Sequence, residues 1–275
     1  MSYLTPSQFV KKMVDAGETK LKMAPRDVLI RAYMAGAILT LAVAFAVTTA
    51  VQTGMPIVGA LVFPVGFVLL NLVGFDLLTG VFALVPLALY DKRKGCTFKG
   101  MMKNWGLVGL GNLLGALTTA ILVGTFWTYG FSAEPGAAGK AIAKAAEART
   151  LGYAEYGAMG WLTVFIAGVL CNWMVSVGVV GAMLSDSVGG KILTMWLPIT
   201  IFFGLVFEHL VVNMFLFPMG MMMGAEITIA DWLTWNEIPV ILGNLVGGLV
   251  LTGGVLYATH YKTGKPTAEY SEQMG

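Results

Sequence analysis

Hydrophobic residues along this chain gather into six runs, near 30–52, 57–90, 104–128, 159–184, 192–224 and 238–260. A bilayer crossing needs about 20 mostly apolar residues, and four of the runs have that ordinary length. The second and fifth, at about 34 and 33 residues, are too long for one straight helix. Both carry polar residues and helix breakers near their middles. The second holds Asn71, Gly74, Asp76, Thr79 and Gly80, and the fifth holds Glu208, His209 and Asn213. Non-helical backbone at membrane depth survives only where protein or a water-filled cavity satisfies it. Each long run therefore reads as two half-helices around an unwound centre. The pattern predicts an all-α polytopic membrane protein of six spans, with spans two and five broken. A charged amphipathic segment, 1–29, precedes the transmembrane domain at 30–260, and a polar tail, 261–275, follows it.

Composition agrees with lipid as the main solvent. Hydrophobic residues make up 57% and charged residues 12%, and the mean hydropathy is +0.78. Ordinary globular domains hold roughly 45–50% and about 25%. A net charge of +2 argues against nucleic-acid binding, which needs a clustered basic face. The first hydrophobic run begins only near Val28, too late and too long for a cleaved signal peptide, so the first span is expected to be retained.

The spread of Lys and Arg sets the expected orientation, because cytoplasmic loops carry the excess. The N-terminal segment has Lys11, Lys12, Lys20, Lys22, Arg26 and Arg31, and the 91–103 loop has five more. Lys191, Lys262 and Lys265 lie on the same side, whereas Lys140, Lys144 and Arg149 share one loop on the other. Both termini are thus expected in the cytoplasm, which also requires an even number of spans.

Runs three and six share a local pattern, Gly111-Asn112-Leu113-Leu114-Gly115 and Gly243-Asn244-Leu245-Val246-Gly247. The broken runs occupy the same place in each half. Three spans per half oblige the halves, about 30–128 and 159–260, to face opposite ways. That is the inverted-repeat arrangement with a site at the midplane. The glycine pairs by themselves are also explained by close helix packing.

Among the polar residues at membrane depth, His209 carries the clearest signal. An ionisable residue there is costly and functional by default, and histidine changes charge near neutral pH. His260 lies at the end of the last run and reads as interfacial. Asp76 is expected to cap the half-helix that begins after it, and Glu208 to tie down unwound backbone beside His209. Thr79 offers a hydroxyl at the break. Asn172, in the fourth run, either bonds helix to helix or lines a pathway. Two separated histidines and the two cysteines, Cys96 and Cys171, predict no metal centre and no disulfide framework. The chain contains no nucleophile elbow, phosphate loop or dinucleotide fingerprint, so no enzyme and no cofactor are expected. The Met219–Met223 run reads as packing material.

At these residues the sequence resembles the formate/nitrite transporter family. Gly74-Phe75-Asp76-Leu77-Leu78-Thr79-Gly80 is similar to that family's interrupted second span, and Phe207-Glu208-His209-Leu210-Val211-Val212-Asn213-Met214 to its fifth-span signature. Lys103-Asn104-Trp105, Cys171-Asn172-Trp173-Met174-Val175 and Asn236-Glu237-Ile238-Pro239 supply the other blocks, in the right order over the whole membrane region. The resemblance implies an aquaporin-like fold, a homopentamer with one pore per subunit, and passage of a small monovalent anion, with or without a proton. Formate is the first expectation, with nitrite, hydrosulfide or lactate as alternatives. By position it implies His209 as the pore histidine with Asn172 and Thr79 beside it. It implies Phe63, Phe67 and Phe202 as the cytoplasmic constriction and Leu77, Leu78 and Val175 as the outer one. Asp76, Glu208 and Asn213 support the loops. Arg149 or Lys144 stands where the family often has an anion-attracting vestibule lysine, and arginine shares a proton less readily than lysine.

The physical problem is the cost of a bare charge between two apolar belts. Protonation of the anion by way of His209 would remove most of that cost, so proton co-transport is an expectation. A rival transport reading is a neutral-solute channel in which His209 only hydrogen-bonds. A rival of another class is a haem-binding membrane anchor of a redox enzyme, which would need a second membrane-depth histidine.

Overall fold

The computed structural model describes residues 3–262, and every long apolar run becomes helix. No strand occurs among the described residues; a single isolated bridge joins Tyr3 to Ser185. The expected tail, 261–275, falls outside the described residues beyond Lys262. Helix α1 (Pro6–Lys22) is the amphipathic segment. Thr5 and Gln8 close a capping box at its start, and Phe9, Val10, Met13 and Val14 form its buried face. That face lies mainly on α5 (Leu78–Tyr90).

Four helices are long and apolar enough to cross a membrane. They are α2 (Pro25–Thr53), α6 (Phe98–Trp127), α9 (Gly157–Leu184) and a last helix over Ile229–Tyr261. The last one begins as α12 (Ile229–Trp232), widens to a π register at Leu233–Glu237 and continues as α13 (Ile238–Gly248), with π turns beyond. The second run forms α3 (Pro56–Val62), α4 (Pro64–Leu72) and, after an interruption at 73–77, α5. The fifth forms α10 (Val188–Gly204) and α11 (Leu210–Met222), interrupted at 205–209. Both interruptions fall where polar residues break the apolar pattern. The connection between α6 and α9 is not bare loop: α7 (Ala137–Ala148) and α8 (Leu151–Ala154) fold there.

The two interruptions are built alike. Helix α4 ends with Gly74 in the left-handed region (φ 78°), and the Phe75 N–H reaches back to the Leu70 carbonyl at 2.9 Å. Helix α10 ends with Val206 at φ 59°, and the Phe207 N–H reaches the Phe202 carbonyl at 3.1 Å. This is the hydrogen-bond pattern by which helices stop on a left-handed residue. Glycine adopts that conformation without cost, whereas a β-branched valine is strained in it.

Helix α2 packs along α6, and α9 along α13. The glycine pairs set these distances. A Cβ on Gly115 would lie 2.0 Å from the Tyr33 carbonyl oxygen, and one on Gly247 would lie 2.3 Å from that of Val169. Small residues let the backbones close to this range. The exterior of the long helices is apolar, with Leu41, Phe45, Leu122 and Phe126 exposed. The polar groups at the breaks, by contrast, are buried: Thr79, Asn112, Asn172, Glu208, Asn213 and Asn244 are all fully enclosed. An apolar outside around a polar inside is the reverse of a water-soluble bundle.

Candidate functional site

The site is assembled from backbone that no helix can satisfy, and two asparagines hold it. The Leu78 N–H, first in α5, donates to Asn112 Oδ1 at 2.8 Å. Asn112 Nδ2 in turn donates to the carbonyls of Ala32 and Asp76, at 2.8 and 3.0 Å. Across the molecule the Leu210 N–H, first in α11, donates to Asn244 Oδ1 at 3.1 Å. Asn244 Nδ2 donates to the carbonyls of Gly168 and Glu208, at 2.8 and 3.0 Å. Leu78 and Leu210, Asp76 and Glu208, and Asn112 and Asn244 are each 132 residues apart. The asparagine of each Gly-Asn pair is therefore the cap of a broken helix. Its place in the sequence motif was visible, but this role was not.

Each break also carries a carboxylate tied to a cation from outside the half-helices. Asp76 pairs with Lys20 of α1, which corrects its expected role as a helix cap, since Asn112 takes that place. Glu208, fully buried, accepts from Arg149 at 3.4 Å, Tyr153 at 3.4 Å, Asn213 at 3.0 Å and Asn236 at 3.3 Å. Burial, with Glu208 adjacent, pushes the Tyr153 phenol up to about 12, so Tyr153 remains a donor. The likeness extends one step further: Asn104 Nδ2 donates to the Lys20 carbonyl at 3.2 Å, and Asn236 Nδ2 to that of Arg149 at 2.9 Å. Arg149 is thus engaged with Glu208 through one of its nitrogens. Lys144, on α7, is exposed.

His209 is the N-cap of α11 as well as the polar centre. Its Nδ1 accepts from the Val211 and Val212 N–H groups, each at 3.2 Å. That role leaves the ring proton on Nε2, which faces Thr79 Oγ1 at 3.3 Å. The ring also stacks on Phe202, with centroids 5.6 Å apart. Thr79 lies in the first turn of α5 and His209 immediately precedes α11. Their contact therefore brings the two half-helix N-termini, the positive ends of both dipoles, to one place. Asn172 spends both amide hydrogens on backbone, on the Thr79 carbonyl at 3.2 Å and the Asn244 carbonyl at 2.6 Å. Of the two readings left open for it, bonding helix to helix is the one the structure supports. His260 meets Phe9 of α1 edge-on, whereas His209 contacts Phe202 and Thr79, so the two rings sit against different partners.

Two cavities approach this centre from opposite sides. One, of about 230 Å3, is lined by Lys20, Asp76, Leu77, Phe67, Asn71 and Lys191, among others. The other, of about 570 Å3, is lined by Pro56, Arg149, Phe202, Phe203, Phe207 and Val212, among others. Phe63 packs edge-on against Phe202 and stacks on Phe203 at 4.0 Å. Leu77 thus borders the face that carries α1, whereas Phe202 and its partner Phe63 border the opposite face. If α1 is cytoplasmic, the two sequence-based constrictions exchange sides: Leu77 is inner, and Phe63 and Phe202 are outer. Phe67 alone keeps its expected side. The reason lies in the fold: Phe202 stands near the C-terminal end of α10, beside Phe203 and Phe207 on the larger cavity, whereas Leu77 lines the smaller one with Lys20 of α1. Leu78 borders neither cavity, because its side chain lies where a Cβ on Gly109 would meet it at 3.2 Å. Val175 is buried on α9, one turn before the cavity-lining Val179 of the inner side.

Apolar helices of membrane length, with buried polar groups gathered at paired interruptions between two cavities, define a multi-pass membrane transport protein rather than an enzyme. The formate/nitrite transporter family model matches residues 7–258. The "Probable formate transporter" of Methanothermobacter thermautotrophicus is 33% identical, over 95% of this chain and 98% of its own. The "Formate channel FocA" of Escherichia coli (strain K12) is 29% identical, over 91% and 92%. Among solved structures, an "FNT family ion channel" aligns with a TM-score of 0.78 at 24% identity, covering 91% of this chain and 98% of that one. A "Pentameric formate channel with formate bound" aligns with a TM-score of 0.67 at 24% identity, covering 85% and 94%. The chain belongs to the formate/nitrite transporter family.

Proposed function

We propose that this protein is a channel for a small monovalent anion, formate first, with one pore in each subunit of a homopentamer. The observation that carries the reading is the buried His209–Thr79 contact, with Phe202 of the larger cavity stacked on the ring and Leu77 of the smaller one two residues before Thr79. The names of the relatives favour formate over nitrite, hydrosulfide and lactate. The paired hydrogen-bond sets, 132 residues apart, support two inverted three-span repeats, as in an aquaporin-like fold. The Lys and Arg bias supports cytoplasmic termini in the cell's inner membrane.

Helix dipoles meet the electrostatic problem on this reading. The N-termini of α5 and α11 converge on the site, and their first N–H groups are satisfied by neutral acceptors, Asn112, Asn244 and His209 Nδ1. Positive potential therefore persists there while the two carboxylates are each offset by a cation. An anion sheds water at the Leu77 or Phe202 belt and finds hydrogen-bond donors in the Thr79 hydroxyl and His209 Nε2–H. His209 acts here as a hydrogen-bond donor. A second ring proton would sit on Nδ1 and face the Val211 and Val212 N–H groups at a positive helix end. Proton co-transport through His209 would require the ring to leave its cap.

The test is His209→Asn in proteoliposomes. Asparagine is a good N-cap and keeps an acceptor for the α11 N–H groups, but it removes the Nε2 donor. The expected result is a folded pentamer whose formate flux falls at least several-fold with the same pH profile as the parent. Undiminished flux would overturn the role given to His209. Flux of formic acid alone, without formate, would favour the neutral-solute reading.

A further inference from the structure

We infer that Lys191 forms an anion-loading site at the mouth of the smaller cavity. It acts there as the cation that draws the permeant anion towards Leu77. The inference rests on the channel reading given above.

Three charged residues line that cavity: Lys20, Asp76 and Lys191. Lys20 and Asp76 are bound to each other, at 19% and 8% side-chain exposure, so their charges cancel at the cavity wall. Lys191 makes no ion pair among the described residues. The acid nearest to it in sequence, Asp186, is held by Lys12 at 2.9 Å. Lys191 also stands in the first turn of α10, whose start is fixed by Ser187 accepting from the Gly190 N–H at 3.1 Å. The Thr194 hydroxyl donates to the Gly181 carbonyl at 2.7 Å and so pins the next turn to α9. Lys191 is therefore a partly exposed charge carried by a helix turn whose backbone is fixed, on the wall of a cavity whose other charges are paired. Asn71, also on the wall, spends one amide hydrogen on the Phe67 carbonyl at 2.7 Å and has another to offer a bound oxyanion.

On the opposite face Arg149 is consumed by Glu208. The exposed Lys144 of α7 lies outside the lining of that larger cavity, so of the two cavity walls only the smaller one carries a cation without an ion pair among the described residues. A single unscreened charge at a narrow mouth raises the local concentration of counter-ions, and the effect fades with ionic strength.

The experiment compares the parent channel with Lys191→Gln, Lys191→Arg and Lys191→Glu in proteoliposomes, with sodium formate as the probe at low and high ionic strength. At low ionic strength Lys191→Gln is expected to lose about three- to ten-fold of its subsaturating flux. Lys191→Glu should lose more, and Lys191→Arg should stay near the parent. The differences should shrink at 0.5 M of an impermeant salt, where the Debye length is only a few ångströms. A packing role would not respond to salt or follow the order of charge. Parent channels that pass no formate would overturn the channel reading itself. Parent channels that conduct while Lys191→Gln and Lys191→Glu match them at both ionic strengths would overturn the loading site alone.

Discussion

Replacing Asn244 by alanine removes one side chain, strands two buried backbone groups and takes one of two bonds from a third. The Leu210 N–H loses its acceptor at 3.1 Å, and the carbonyls of Gly168 and Glu208 lose donors at 2.8 and 3.0 Å. A buried polar group left unpaired costs about 1–3 kcal/mol. Interhelical side-chain bonds in membranes average only about 0.6 kcal/mol, because the unfolded chain in lipid finds other partners. That smaller figure suits bonds whose loss can be repaired. Leu210 and Glu208 sit at an interruption, where no helical neighbour is in register to replace Asn244. The Gly168 carbonyl lies inside α9 and keeps its helical bond, so it costs less. These considerations give a loss of about 3 kcal/mol, bounded by about 2 and 5 kcal/mol. For a chain of this size that corresponds to a fall in Tm of about 6–12 °C. Thermal unfolding of the purified protein in detergent measures it, and Asn112→Ala should fall by a similar amount because its bonds match one for one. Asn244→Asp keeps the acceptor for Leu210 and should retain part of the loss. An Asn244→Ala protein that melts within about 1 °C of the parent, well under 1 kcal/mol, would refute the capping argument.

Two other outcomes follow from the same geometry. Val206→Gly relieves a β-branched residue held at φ 59° and should stabilise by up to about 1 kcal/mol, against a small entropic loss in the unfolded chain; the reverse change, Gly74→Val, should destabilise, and both are read from melting curves. Arg149→Gln leaves the fully buried Glu208 carboxylate without its cation and should cost about 3 kcal/mol, whereas Arg149→Gln with Glu208→Gln should recover most of it. A double variant no more stable than the single one would show that the pair is not what holds this wall of the site.

Much of the site was legible because its residues break an apolar pattern. Asp76, Thr79, Glu208, His209 and Asn213 all stood out, and all lie in the two interruptions or in the first turn of the half-helix that follows each. The roles were harder to see. Asp76 reads as a cap from its position before α5, yet the cap comes from Asn112, 34 residues from Leu78. Arg149 reads as a vestibule charge from its place in a loop, yet it is drawn onto Glu208, 59 residues away. Lys20 looked like one more cytoplasmic cation, and its pairing with Asp76 was invisible. One signal was available: an asparagine follows the first glycine of each repeated glycine pair, and close packing alone does not call for it.

The sequence by itself determined that the chain lies in lipid, which runs are helices, where two of them break, and to which family the chain belongs. These follow from local composition and spacing, because the bilayer imposes one rule on every residue it meets. Only the tertiary structure decided which face each constriction borders, which groups satisfy the unwound backbone, and which nitrogen of His209 keeps its proton. Each of those answers depends on partners tens of residues away. At membrane depth no water can substitute for them, so the partner that packing delivers settles the role.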